Sequence, residues 1–139
     1  MPKHEEEARP LISCHFVISG RDFDPKECTE ELGLEPAEVW KQNRPDLARV
    51  AVLNTAEWSV GLAKRPADTI EEVISAVTEQ VWEARSRIKE FVQRRHLAAT
   101  LVCSVTIVNY PPKYALSREL LAKLGQLGCA FALNIYDYS

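Results

Sequence analysis

The chain has 139 residues, of which 46% are hydrophobic and 27% are charged, and its formal net charge at pH 7 is -3. This length and composition favour one globular domain with its own core and exclude a disordered chain. The negative charge disfavours nucleic acid as a partner, because no overall positive field exists to attract phosphates.

The first residues lack the apolar core of a signal peptide, and no later run reaches the roughly 18 to 20 apolar residues of a membrane span. The cysteines have no metal-type spacing: Cys14, Cys28, Cys103 and Cys129. They indicate small buried hydrophobic side chains, and we expect no metal and no cofactor. These features predict a cytoplasmic protein.

Residues 1–10 are charged and carry two prolines, so we expect a flexible lead-in followed by a single domain over residues 11–139. Apolar and polar residues alternate from Leu11 to Ser19, as in a half-buried strand. A helix over 25–32 is predicted next. Asp24 and Glu27 form a capping box before it, and Gly33 can end it in the left-handed conformation.

An extended segment and a hairpin are predicted after this helix. Val39 to Lys41 is extended, and the segments Arg49 to Leu53 and Glu57 to Leu62 flank three residues typical of a turn. Trp58 lies at every second position with two apolar residues, Val60 and Leu62, and is therefore predicted to lie in the core. The hairpin would place these two segments side by side.

A long helix is predicted from a capping box at Asp68 and Glu71 to about Arg95, because no glycine or proline interrupts this stretch. Its apolar residues form one stripe: Ile70, Val73, Ile74, Val77, Val81, Ala84, Ile88, Phe91 and Val92. A helix of this length would overhang the sheet or bend.

The C-terminal part predicts strand, helix and strand. Leu97 to Val108 alternates regularly and is expected to be the longest strand. Ser117 can cap a helix that Gly128 ends. The last strand, Ala130 to Tyr136, carries three apolar residues on one face: Phe131, Leu133 and Ile135.

This order of elements predicts an α+β two-layer sandwich with all helices on one face of the sheet. The first six elements match a ferredoxin-like β-α-β-β-α-β core, which a C-terminal helix and strand extend. The opposite sheet face is left without helices.

Several short phrases occur in order along the chain: Phe16-Val17-Ile18-Ser19-Gly20, Phe23-Asp24-Pro25, Leu32-Gly33-Leu34-Glu35-Pro36, Trp40-Lys41, Leu116-Ser117-Arg118-Glu119-Leu120-Leu121, Leu127-Gly128 and Ile135-Tyr136. Together they resemble the bacterial family called domain of unknown function 4279. The resemblance implies a cytoplasmic domain without a known catalytic set. By analogy with small domains suspected of neutralising toxins, it suggests an immunity-type inhibitor. Residues 42–46 depart from the glycine-rich turn often found there in the family.

Candidate binding residues lie on the sheet face without helices and in the loop after the second strand. On the face they are His15, Ser13, Thr100, Ser104, Thr106, Asn134 and Tyr136; in the loop they are Trp40, Lys41 and Arg44. A face of hydroxyls dotted with valines is often covered by a ligand or a second subunit. A solvated sheet face and a loop that covers the core are the alternatives.

Ser13, Ser19 and His15 share this face, but no residue has a recognisable position as the orienting acid of a catalytic triad. The leading hypothesis is therefore a non-catalytic protein-binding module, with an immunity-type inhibitor as one form of it. The alternatives are a regulatory domain that binds a small molecule and, third, an enzyme. We also expect a homodimer, formed through the open sheet face or through an edge strand.

Overall fold

The structure is a computed structural model that describes residues 9–21, 23–35, 38–40 and 55–138. Five strands and four helices lie in these ranges: β1 (Leu11–Arg21), α1 (Pro25–Leu32), β2 (Glu38–Trp40), β3 (Thr55–Pro66), α2 (Ile70–Trp82), α3 (Arg85–Arg94), β4 (Ala98–Ile107), α4 (Arg118–Leu127) and β5 (Ala130–Asp137). The predicted α+β class is confirmed.

The five strands form one mixed sheet in the order β2-β3-β1-β4-β5. β1 pairs antiparallel with β3 and with β4, and β2 pairs antiparallel with β3. β5 pairs parallel with β4, an arrangement that requires a crossover, and α4 lies in that connection. The C-terminal helix and strand therefore extend the sheet at the edge opposite β2.

One face of this sheet packs against the helices and forms the core. The inward residues of β1 are fully buried: Ile12, Cys14, Phe16 and Ile18. Trp58 of β3 is also fully buried, as predicted, and α2 contacts both β1 and β3. Leu101 and Cys103 continue the buried row on β4. The core thus lies between the sheet and a single helical layer.

The capping signals of α1 and α4 are confirmed. Asp24 accepts a hydrogen bond from the Lys26 amide, and Glu27 completes the capping box. Ser117 caps α4 by accepting from the Leu120 amide. Each helix ends at a left-handed glycine, with φ of 66° and 68°. Local sequence is sufficient for these ends, because cap and helix lie within a few residues of each other.

The predicted cap of the next helix is wrong by one residue. Thr69 caps α2 by accepting a hydrogen bond from the Glu72 amide. The Asp68 carboxylate instead pairs with Arg9 at 3.3 Å. The local pattern assigned Asp68 to the cap, but its side chain forms an ion pair with Arg9, which is distant in sequence.

The prediction of a single long helix is also wrong, because α2 ends at Trp82 and α3 starts at Arg85. At the break, the Ala84 amide bonds to the carbonyl of Val81, and the Arg85 guanidinium donates to the carbonyl of Trp82. The apolar stripe nevertheless continues into α3, where Ile88 and Phe91 are buried. The break lets both segments follow the core where one straight helix would overhang it.

Two predictions about strands need correction. On the side of β3 away from β1, the paired strand is β2, over Glu38–Trp40. The predicted partner segment 49–53 lies outside the described residues. β4 is not the longest strand, since it has 10 residues against 12 in β3. β3 is longer than predicted because Leu11 and Ile12 pair with its far end, beyond a register shift.

An ion pair ties α1 to the end of α3. The Arg95 guanidinium donates to both carboxylate oxygens of Glu27, at 2.6 and 2.9 Å. This hydrogen bonding lowers the pKa of Glu27. Because the pKa is lowered in the folded state, the pair stabilises the fold above the ordinary carboxyl pKa and loses that contribution as the pH falls through the folded pKa.

We therefore expect Glu27→Gln to unfold at lower urea concentration than the parent near neutral pH, and this difference to shrink at an acidic pH below the ordinary carboxyl pKa. Gln retains the capping geometry, so the difference reports the ion pair. Urea titration at the two pH values measures it, and Glu30→Gln, exposed on the same helix, is the control. A deficit of Glu27→Gln that stays constant with pH would contradict this account.

Candidate functional site

The open sheet face is the side of the sheet opposite the helical layer. Its pairing register brings the predicted residues side by side. Ser13 lies opposite Ser104, which in turn lies opposite Asn134. His15, on the central strand, lies opposite Gly61 of β3. The predicted residues of β1, β4 and β5 therefore share one face of the sheet.

An open depression of about 390 Å³ lies on this face. Its lining residues come from β1, β3 and β4: His15, Val17, Ser19, Glu57, Ser59, Thr100 and Val102. Two predicted binding residues, His15 and Thr100, are thus brought together. The mixture of hydroxyls, valines, one imidazole and one carboxylate can hold a small group by hydrogen bonds and apolar contact.

Gly61 of β3 lies directly opposite His15, one of the residues that line the depression. A Cβ at this position would lie 2.7 Å from Cα of His15 and 2.8 Å from its Cδ2, and it would also collide with the carbonyl oxygen of Cys14. Only a residue without a side chain allows this approach between strands. The His15 ring therefore lies against the backbone of Gly61.

The serine, histidine and glutamate that line the depression do not form the hydrogen-bonded row of a catalytic triad. Glu57 stands opposite Ser19, four residues along the strand from the pair of His15 and Gly61. At about 3.3 Å per residue the Cα atoms of Glu57 and His15 are about 13 Å apart along the strands, and no hydrogen bond or ion pair joins these two described side chains.

The remaining predicted residues of the face lie outside the depression, towards β5. Thr106 stands opposite Tyr136 in the register. Their exposure differs, since Thr106 is buried and Tyr136 is 49% exposed. Ser104 and Asn134 form the adjacent row. The predicted site is thus divided between the centre of the sheet and its β5 edge.

The predicted loop residues are only partly within the described chain. Trp40 ends β2 and stands opposite Glu57 in the register, so its backbone lies at the end of the sheet where Glu57 lines the depression. Lys41 and Arg44 lie outside the described residues. The contact site proposed for this loop remains a prediction.

A second surface, whose exposure the sequence did not predict, lies at the β5 edge. Phe131, Leu133 and Ile135 stand opposite core residues of β4, so they point to the helical side, yet they are 40%, 37% and 49% exposed. They remain exposed because α4 packs against α2 and α3. We call these three residues, with Tyr136, Tyr138 and the edge of β5 that pairs with no other described strand, the β5 surface.

Tyr114 borders the β5 surface. It is 41% exposed, and burial followed by the negative charge of Asp137 raises the pKa of its hydroxyl. The tyrosine is therefore near the last residue of β5. Aromatic and aliphatic side chains together make this edge the largest concentration of exposed apolar residues in the described part of the chain.

The cysteines behave largely as predicted. Cys14, Cys28 and Cys103 are fully buried, and Cys129 is half-buried. Burial raises the pKa of the Cys14 thiol strongly, that of Cys28 to about 12 and that of Cys103 to about 11. Since the thiolate is the reactive form, three of the four thiols should be inert in the folded chain.

We expect a thiol reagent near pH 8 to modify at most one cysteine of the native chain quickly, at Cys129, and all four in denaturant. Mass spectrometry of the labelled chain gives the count and the position. Rapid labelling of Cys14 or Cys103 without denaturant would contradict the burial of the sheet face that faces the helices.

Two further properties concern the described residues as a whole. No group of three or more histidine, cysteine or acidic side chains among them is placed to hold a metal ion. No helix in the same ranges is both long and apolar enough to cross a membrane.

Comparison with known proteins identifies the family of this chain. The model of the family described as Domain of unknown function (DUF4279) matches residues 10–138, which span the whole described sheet. A search of curated proteins and a search of solved structures found no match. The family match agrees with the resemblance seen in the sequence phrases and covers nearly the full length. The chain therefore belongs to the DUF4279 family.

Proposed function

We propose that the chain is a non-catalytic protein-binding module that uses the β5 surface. The observation that carries this proposal is the exposure of Phe131, Leu133 and Ile135 on an edge strand. Their neighbours in the register on β4 are buried in the core. The core face of the sheet thus continues to the edge of the domain and is left open there.

Two physical contributions favour association of another chain with this edge. A free strand edge presents backbone N–H and C=O groups that can pair with another strand. Exposed apolar side chains beside it gain about 25 cal/mol for each Å² removed from water. Contiguous apolar surface of this kind marks interaction sites on folded proteins.

The same proposal includes a finer view of the fold and its setting. The strand order β2-β3-β1-β4 supports a ferredoxin-like core, to which β5 is an addition. Residues 11–139 would form one domain. Unpaired, buried cysteines fit a reducing compartment, so we place the protein in the bacterial cytoplasm.

The narrower form of the proposal is an immunity-type inhibitor. The negative net charge of -3 favours a basic partner, and a toxin of that kind would be held by the β5 surface. Co-expression tests this form: the product of the adjacent coding sequence should arrest growth alone and be tolerated with the parent chain. Protection that is complete with Leu133→Lys would contradict inhibition through β5.

The broader proposal is tested by capturing partners with purified chains under gentle conditions. We expect a protein to be retained by the parent and lost with Leu133→Lys, because the lysine places a charge in the apolar contact. Thr100→Lys is the matched control, since it alters the open sheet face and should retain the partner. A chain that binds neither another protein nor itself would contradict the proposal.

A second candidate function is binding of a small molecule in the depression around His15. Its volume of about 390 Å³ lies in the range of ligand sites, and its polar groups converge from three strands. A metabolite that binds there should raise the melting temperature, and Thr100→Trp, which fills the depression, should abolish the rise. If no metabolite tested at millimolar concentration raises the melting temperature, this candidate loses its support.

A further inference from the structure

We propose that the occupant of the β5 surface is a second copy of this chain, paired antiparallel along β5 about a two-fold axis at Leu133. The inference rests on the proposed function and adds the partner and the register. The two sheets would join into one continuous sheet, with both helical layers on the same side.

The two edges of the sheet differ in a way that favours pairing at β5. β2 has three residues, whereas β5 has eight. Natural edge strands avoid pairing by being short, by carrying lysine or proline, or by forming a bulge. Between Ala130 and Asp137 there is no lysine, arginine, proline or glycine. Apart from the charge of Asp137 at its end, the β5 strand thus lacks the sequence features that protect an edge.

The residue order of β5 is self-complementary about Leu133. In antiparallel pairing centred there, Leu133 meets Leu133 of the second copy, and Phe131 meets Ile135 of the second copy. All of these side chains lie on the helical side and are exposed in the single chain. Cross-strand aromatic and β-branched pairs of this type stabilise antiparallel sheets.

In the same register, the side chains of the two copies also fit each other on the open sheet face and at the ends of the strands. Ala130 would stand opposite Tyr136 of the second copy, and Ala132 opposite Asn134, so a small residue faces each larger one. Asp137 lies opposite Cys129 of the second copy. The two Asp137 carboxylates are then about 26 Å apart, given 3.3 Å per residue, and do not repel each other appreciably.

The size of the contact sets the expected affinity. Eight residues span about 26 Å, and a sheet with the side chains of both faces is about 10 Å thick, so the contact covers on the order of 300 Å² for each copy. Stable dimers bury about 800 Å² for each partner. We therefore expect a weak, reversible dimer with a Kd on the order of 100 µM.

Sedimentation velocity over a concentration series from about 1 to 500 µM brackets such a Kd. The parent mass should rise from 15.7 kDa towards twice that value. Leu133→Lys places two like charges at the axis and should weaken the dimer by about 100-fold or more. Glu30→Lys, an exposed position of α1, which packs against α3 and β3 and not against β5, should dimerise like the parent. A parent chain that stays monomeric across the series overturns the proposal.

The register is tested by charge exchange at Phe131 and Ile135. Phe131→Lys and Ile135→Glu should each weaken the dimer, whereas the double variant should restore it, because each lysine then meets a glutamate of the second copy. Both positions are exposed, and circular dichroism checks that each variant is folded. A double variant that is weaker than both single variants overturns the proposed register.

The outcome separates this inference from the proposed function. A monomeric parent that retains a different protein through β5 overturns self-pairing and supports the protein-binding module. A monomeric parent with no partner overturns both. A dimer that Thr100→Lys disrupts and Leu133→Lys leaves intact overturns pairing through β5 and places the contact on the open sheet face.

Discussion

Replacing Trp58 with alanine should destabilise the domain by about 4 kcal/mol, the largest loss we expect from any single side chain in the described core. Trp58 is fully buried on β3, where its indole N–H donates to the Thr29 hydroxyl of α1 at 3.1 Å. The substitution leaves a cavity and removes this link. Since domains are stable by only about 5–15 kcal/mol, thermal unfolding should shift down by roughly 10–20 °C.

Trp58→Phe separates the two contributions, because it retains most of the apolar volume and removes the indole donor. The loss should be clearly smaller than for alanine. Calorimetry or urea titration of parent, Trp58→Phe and Trp58→Ala measures the series. Alanine and phenylalanine variants of equal stability, both close to the parent, would show that β3 does not pack against α1 as described.

Gly61→Ala should produce the second large effect, about 3 kcal/mol, although it adds only one methyl group. The new Cβ would lie 2.7 Å from Cα of His15 and against the Cys14 carbonyl. These are backbone atoms of the central strand, so a rotamer change cannot relieve the overlap. β1 and β3 would have to separate locally.

Gly125→Ala is the matched control for the same chemical change. Gly125 lies within α4, and a Cβ there meets nothing within 4 Å. Alanine is better than glycine in a helix interior by up to about 1 kcal/mol, so this variant should be at least as stable as the parent. Equal melting temperatures for the two alanine variants would contradict the close approach of β1 and β3.

The sequence predicted the elements whose signals are local. The caps at Asp24 and Ser117 and the left-handed glycines 33 and 128 lie within a few residues of the helices they end. The strand alternation of β1 also specified its buried face, since side chains alternate with a period of two. These signals depend little on distant parts of the chain.

Predictions from the sequence were wrong where contacts between residues distant in the chain determine the local structure. Asp68 fits a helix cap locally, but its carboxylate pairs with Arg9, 59 residues away. The break between α2 and α3 keeps the apolar stripe on the core, and no glycine or proline marks it. Tertiary packing overrides weak local preference in such cases.

The candidate site was predictable only in part for the same reason. Alternation along the strands placed His15 and Thr100 on one face, and the register brings both into the depression. The exposure of Phe131, Leu133 and Ile135 was not readable, because an apolar strand face ordinarily indicates core. It depends on α4 packing against α2 and α3, which no local pattern specifies.

The central claim is that the β5 surface contacts another protein chain, and amide hydrogen exchange of β5 tests it most directly. In the single chain, the amides of Ala130–Asp137 that point away from β4 should exchange quickly. In the complex, whether with a second copy or another protein, these amides should become protected, while exchange in β2 stays unchanged. Unchanged exchange throughout β5 in a complex that the chain demonstrably forms would contradict the claim.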